Sequence, residues 1–83
     1  MMYGVIFSDN AYKGLKKLER TTQKRIVAVL ERIRIRPQHH VKKLVGSPYY
    51  RLRIGEYRAI LDINQGQLII LVIEIAHRER IYK

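Results

Sequence analysis

The sequence predicts an α+β domain in which an N-terminal helical hairpin packs on one face of a small antiparallel-rich sheet, in the order β-α-α-β-β-β. Three observations predict it. Apolar residues recur at helical spacing in two consecutive stretches near the N-terminus. Three later stretches are β-prone and are separated by glycine-bearing turn signals. A short β-prone run precedes the first helical stretch.

That opening run is Tyr3 to Phe7, and Ser8-Asp9-Asn10 after it favours a turn and a helix N-cap. Ala11, Leu15 and Leu18 then lie on one helical face, with Lys13, Lys16 and Lys17 between them. Thr21 or Thr22 is suited to cap a second helix. In that helix Ile26, Leu30 and Ile33 form a stripe, Val29 joins from the side, and Lys24, Arg25, Glu31 and Arg32 point outward. Pro37 is expected to stop it, because the residue before proline resists the α conformation. Residues 38–48 read as a polar, basic connection ending in the Gly46-Ser47-Pro48 turn signal. The strand candidates are Tyr49 to Ile54, Tyr57 to Ile63 and Gln67 to Ala76. Gly55-Glu56 fits a two-residue hairpin with glycine first, and Asn64-Gln65-Gly66 fits a three-residue hairpin with a left-handed glycine.

Side chains alternate between the two faces of a strand, so the turns assign the faces. With residues 55 and 56 as the loop, Ile54 pairs with Tyr57, Arg53 with Arg58 and Leu52 with Ala59. With residues 64 to 66 as the next loop, Ile63 pairs with Gln67 and Arg58 lies beside Val72. One face then carries Leu52, Ile54, Tyr57, Ala59, Leu61, Ile63, Ile69, Leu71, Ile73 and Ile75, a core for the helices. The other carries Arg51, Arg53, Arg58, Ile60, Ile70, Val72 and Glu74, and Arg78 joins by parity if no bulge intervenes. Arg53 opposite Arg58 is a like-charge pair that costs stability. Two readings of the cluster stand. It is an anion site, since arginine's planar fork matches phosphate, or Glu74 and solvent neutralise it.

The bulk numbers narrow the partners. The chain has 83 residues, enough for a single domain spanning 1–83. Its formal net charge of +10 predicts attraction to polyanions, nucleic acid first. Cysteine is absent, so the apolar core carries the stability without disulfides, and no Cys-based metal or redox motif is available. The longest apolar run, Leu68 to Ile73, is far short of the roughly 20 residues that span a bilayer. No signal-peptide pattern opens the chain, so a cytoplasmic protein is expected. His39-His40 has no carboxylate or cysteine at ligand spacing and reads as loop; neither metal nor cofactor is expected.

The run Tyr50-Arg51-Leu52-Arg53-Ile54-Gly55-Glu56-Tyr57-Arg58-Ala59-Ile60 resembles the basic hairpin of RelE-like toxins in the RelE/ParE superfamily. The close His77-Arg78-Glu79-Arg80-Ile81-Tyr82 is similar to the C-terminal ending of that superfamily. The order of elements matches over nearly the full length. The resemblance implies a type II toxin–antitoxin toxin: a ribosome-dependent messenger-RNA endonuclease that works without metal and is held by a cognate acidic antitoxin. It implies catalytic roles for Arg51, which falls where such toxins often place a lysine, and for Arg58, Arg78 and Tyr82. Lys42, Lys43, Arg53 and Arg80 are the expected RNA contacts, although Lys42 and Lys43 read equally well as a solvated loop.

Metal-free RNA cleavage needs a base for the ribose 2′-OH, an acid for the leaving oxygen, and cations for charge developing on phosphorus. Arg58 and Arg78 suit the last role, and Tyr82 suits stacking on a base or orienting the nucleophile. The base has several candidates. Arginine keeps its proton, so Arg51 is a poor one. Tyr49 and Tyr50 flank it, and His77 has suitable chemistry but falls on the core side by parity. Two other readings share the fold: a ParE-like toxin that blocks DNA gyrase without cutting, and a non-catalytic RNA-binding module. An apolar patch of Ile60, Ile70 and Val72 on the arginine face is expected to receive the antitoxin.

Overall fold

The computed structural model describes residues 2–77. Strand β1 (Gly4–Phe7) leads into helix α1 (Asp9–Lys16) and helix α2 (Arg20–Arg32). A 3-10 turn at Pro37–His39 follows, then strands β2 (Lys42–Lys43), β3 (Tyr50–Ile54), β4 (Tyr57–Asn64) and β5 (Ile69–His77). The five strands form one sheet in the order β1-β5-β4-β3-β2. β1 is parallel to β5 and every other pairing is antiparallel. The two helices cover one face, as an α+β domain with this element order should.

The core lies between the helices and that face. Ala11 and Leu15 of α1, Ile26 and Leu30 of α2, and Ile33 just after it meet Leu52, Ile54, Ala59, Leu61, Ile70, Val72 and Ile75 of the sheet. Val29 and Phe7 pack at its border. Among the described residues no helix is long and apolar enough to cross a membrane.

Helix α1 begins where the Ser8-Asp9-Asn10 signal places it. The Ser8 hydroxyl accepts the Ala11 N–H at 3.0 Å and donates to the Ile73 carbonyl at 2.7 Å, so one oxygen caps the helix and ties it to β5. Helix α2 starts earlier than the threonines suggest. Its N-cap is Glu19, which makes no side-chain cap bond; instead the Gln23 side chain donates to the Leu18 carbonyl at 2.8 Å and ties the first turn to the link from α1. It also ends at Arg32, well before Pro37. The reason is tertiary. Tyr3 donates its N–H to the Arg34 carbonyl, and Arg34 Nε donates to the Tyr3 carbonyl at 2.7 Å, so residue 34 is drawn out of the helix toward β1.

The hairpin β3–β4 has the register read from the sequence: Ile54 with Tyr57, Arg53 with Arg58, Leu52 with Ala59. Gly55 has φ +58°, as its turn requires of the first central residue. The β4–β5 register differs. Asn64 pairs with Ile69, so the loop has one residue more than expected, and Leu68 rather than Gly66 takes a left-handed conformation, with φ 57°. The Asn64 side chain accepts the Gln67 N–H inside that loop, and the Leu68 carbonyl accepts the Gly4 N–H.

This shift turns Ile70 and Val72 into the core, each fully buried, and puts Ile69 and Leu71 on the opposite face. Arg58 pairs with Ala76, not Val72. Between Ile60–Glu74 and Leu61–Val72 the ladder slips, leaving Ile73 without a partner in β4, which is a β-bulge. The bulge restores the parity that the longer loop removed. Ile75 is in the core and Glu74 is on the far face, as expected, by two compensating departures.

Candidate nucleic-acid interface

The face of the sheet away from the helices carries the cations. Directly opposed residues share a face, so cross-strand pairing lines up two rows. The first runs Lys42, Arg51, Ile60, Glu74 across β2, β3, β4 and β5. The second runs Arg53, Arg58, Ala76 across β3, β4 and β5. Four cations from three strands therefore stand on adjacent rungs. Arg51 and Arg58 are half-buried and Arg53 and Lys42 are exposed, while the Arg58 Nε atom is itself shielded from solvent. A guanidinium held part-way out of water has fewer conformers to lose when it binds an anion, which suits it to phosphate.

Lys43 goes elsewhere. It pairs with Tyr50, which pairs with the core residue Leu61, so it belongs to the helix-side face; its Nζ stands 5.5 Å from the Tyr50 ring centroid. Strand β2, which places Lys42 beside Arg51, is two residues long, too short to leave an alternation signal in the sequence. Arg34, a basic residue that follows α2, is committed to Tyr3 and to Glu31 at 2.7 Å. Arg78, Arg80 and Tyr82 lie outside the described residues.

Two carboxylates share the cationic face. Glu74 is exposed at the end of the first row; Asp62 is half-buried and pairs with Leu71 further along β4. Neither forms a salt bridge among the described residues. His77 ends β5 opposite Tyr57, with its Nε2 4.0 Å from Glu56 Oε1 and its ring edge-on to Tyr57 at 5.5 Å. It therefore joins the hairpin turn rather than the arginine rows.

The apolar part of this face also differs from expectation. Ile70 and Val72 are core residues, because of the longer β4–β5 loop. The apolar side chains on the open face are Ile60, Ile69, Leu71 and, from β1, the exposed Ile6, which pairs with Leu71. The face is thus divided: cations on β2, β3 and β4, apolar side chains toward β5 and β1. Beyond the end of β1, the edge of β5 and helix α1 enclose a groove of about 680 Å³ lined in part by Lys13, Lys17, Tyr57, Glu74 and His77.

Comparisons with known proteins agree with this architecture. Residues 5–82 match the family described as ParE toxin of type II toxin-antitoxin system, parDE. A protein of Methanocaldococcus jannaschii carrying the provisional name toxin RelE1 is 30% identical over 88 residues, covering 100% of this chain and 98% of that one. The RelE–RelB complex of Pyrococcus horikoshii OT3 contains a chain that superposes with a TM-score of 0.82 at 26% identity, over 96% of this chain and 99% of that one. In the Mycobacterium tuberculosis RelBE2 toxin–antitoxin complex, a chain superposes with a TM-score of 0.88 at 22% identity, over 94% of this chain and 100% of that one, a likeness of fold. The chain belongs to the ParE toxin family of the RelE/ParE superfamily and is a RelE-like toxin of a type II toxin–antitoxin system.

Proposed function

We propose that this toxin is a ribosome-dependent endoribonuclease that cuts messenger RNA without a metal and so stops translation. The observation that carries the reading is the pair of cationic rows, Lys42–Arg51 and Arg53–Arg58, on the sheet face that the helices leave open. Arg53 and Arg58 are directly opposed, a like-charge arrangement that an anion bound between them would stabilise. A single-stranded message supplies that anion in its phosphodiester.

In the proposed reaction the ribose 2′-oxygen attacks the adjacent phosphorus. Arg51 and Arg58 hold the non-bridging oxygens and offset the charge that grows on them, a kind of stabilisation that is usually the largest single contribution to catalysis. Arg53 and Lys42 bind flanking phosphates. Arg78 joins the cations, Arg80 contacts RNA, and Tyr82 stacks on a base or orients the nucleophile. Lys43, on the opposite face, would reach ribosomal RNA rather than the scissile bond.

The partner in this reading is an acidic antitoxin, supported by the RelB chains in the solved complexes of similar proteins. Carboxylates of the antitoxin meet the arginine rows, and an amphipathic segment covers Ile6, Ile69 and Leu71. A second reading, a block of DNA gyrase without cleavage, is favoured by the match to a family described as ParE toxin. A protein–protein block has no need for paired guanidiniums on an open face, and this weighs for the nuclease.

The test mixes the purified chain with ribosomes programmed with a defined message and maps the 5′ ends. Cuts confined to ribosome-bound message, unaffected by a chelator that leaves the ribosomes intact, are expected. An intact message together with inhibited gyrase supercoiling would replace this reading with the second.

A further inference from the structure

We infer that Glu74 is the general base of the proposed cleavage, an assignment that rests on the nuclease reading. Metal-free attack by a 2′-OH needs a proton acceptor beside the phosphate-binding cations. Among the described residues of the open face, arginine and lysine donate rather than accept. His77 is turned to Glu56 and Tyr57 at the hairpin end. Tyr50 pairs with the core residue Leu61 and so lies on the helix side, and a phenol such as that of Tyr49 is a far weaker proton acceptor than a carboxylate. Two carboxylates remain, Asp62 and Glu74.

Position separates them. Glu74 closes the row Lys42, Arg51, Ile60, Glu74, and it is diagonal to Arg58, whose partner on β5 is Ala76. It is thereby next to both arginine rows. Strands lie about 4.8 Å apart, so Arg51 and Glu74, two strands apart, have Cα atoms roughly 10 Å from each other. Ile60, which is 9% exposed, forms an apolar floor between them. That interval accommodates a ribose and its phosphate with the cation on one side and the carboxylate on the other. Asp62 instead sits in the row of Leu71 and Ile6, half-buried among apolar side chains.

Glu74 is also available. It is exposed and makes no salt bridge among the described residues. A carboxylate that served to neutralise the arginines would be paired with one of them. The bulge at Ile73 is what turns it outward: a regular ladder continuing from Leu61–Val72 would pair Ile60 with Ile73 and send Glu74 to the core side.

The Glu74 carboxylate takes the 2′-OH proton as the O2′–P bond forms. The P–O5′ bond breaks, and the leaving oxygen takes a proton from water. The products are a 2′,3′-cyclic phosphate and a free 5′-hydroxyl, and the Glu74 proton returns to solvent.

The experiment compares the wild-type chain with Glu74→Gln, Glu74→Ala and Asp62→Asn in single-turnover cleavage of ribosome-bound message, with binding to the same ribosomes measured in parallel. Glu74→Gln is expected to cut about 10²–10⁴-fold more slowly while binding as tightly or more tightly, because it loses a negative charge. Formate is expected to restore part of the Glu74→Ala rate, and Asp62→Asn to cut at close to the wild-type rate. If Glu74→Gln cuts as fast as wild type or faster, Glu74 only tempers the cationic field and the assignment is overturned. If formate rescues nothing, it is overturned likewise. A wild-type chain that leaves every message intact would instead remove the nuclease reading, and this assignment with it.

Discussion

At the scale of single residues, Ser8 and the arginines illustrate two kinds of demand on a side chain. The Ser8 hydroxyl does two jobs with one atom, accepting from Ala11 and donating to Ile73 at the bulge. Replacing it with alanine leaves both groups without that partner. Ser8→Ala is expected to lower stability by about 1–2 kcal/mol, seen in urea as a lower midpoint with an unchanged slope. The cap was legible because Ser-Asp-Asn precedes a helical stripe; the second bond was not, since it joins residues 65 positions apart. Arg51, Arg53 and Arg58 were legible as one face because a two-residue turn with glycine first fixes the hairpin register. Arg34 shows the limit of counting charge: its guanidinium is committed to Tyr3 and Glu31, which no local pattern announces.

At the scale of elements, the helices and strands follow from periodicity, and their ends follow from contacts made elsewhere. Helix α2 ends at Arg32 because residue 34 is bonded to Tyr3, a decision taken by the tertiary structure over the proline signal. Strand β5 is the clearest case. A long β-prone run of isoleucine, leucine and valine is apolar on both faces, so alternation carries no information about which side faces the core. The longer loop, with its left-handed Leu68, and the bulge at Ile73 decide that instead. Helix α1 meets β5 through Gly14. A Cβ built there would lie 2.9 Å from the Ile75 carbonyl oxygen, a backbone atom with little room to retreat. Gly→Ala inside a helix ordinarily gains about 1 kcal/mol. Here the sign is expected to reverse, with Gly14→Ala costing about 1–3 kcal/mol through overpacking. A thermal melt of this variant above the wild-type midpoint would show that α1 moves freely away from the sheet edge.

At the scale of the whole molecule, the sheet separates two tasks. One face packs against the helices and supplies the core; the other is left open, divided between cations and the apolar side chains of Ile6, Ile69 and Leu71. In the proposed function the +10 charge draws a polyanion to this face, and the apolar part gives a protein partner something that RNA would not use. The proposed inhibitor therefore competes for the cations while anchoring beside them. Ile6→Asp is expected to weaken antitoxin binding at least tenfold by isothermal titration, with cleavage of ribosome-bound message close to that of the wild type. Equal loss of both would place the apolar patch in the RNA site itself. The charge and the open face were legible from residue types and turn positions; which apolar residues share that face was not, because their assignment depends on one extra loop residue.

The proposed function requires guanidinium groups from neighbouring strands to hold a scissile phosphodiester. The most direct measurement is single-turnover cleavage of ribosome-bound message by Arg51→Ala and Arg58→Ala, each checked for an unchanged thermal melt and ribosome affinity. A loss of at least about 10²-fold in each, the scale on which removing one donor to a developing oxyanion acts, is the predicted result. Folded variants that cut at the wild-type rate would contradict it.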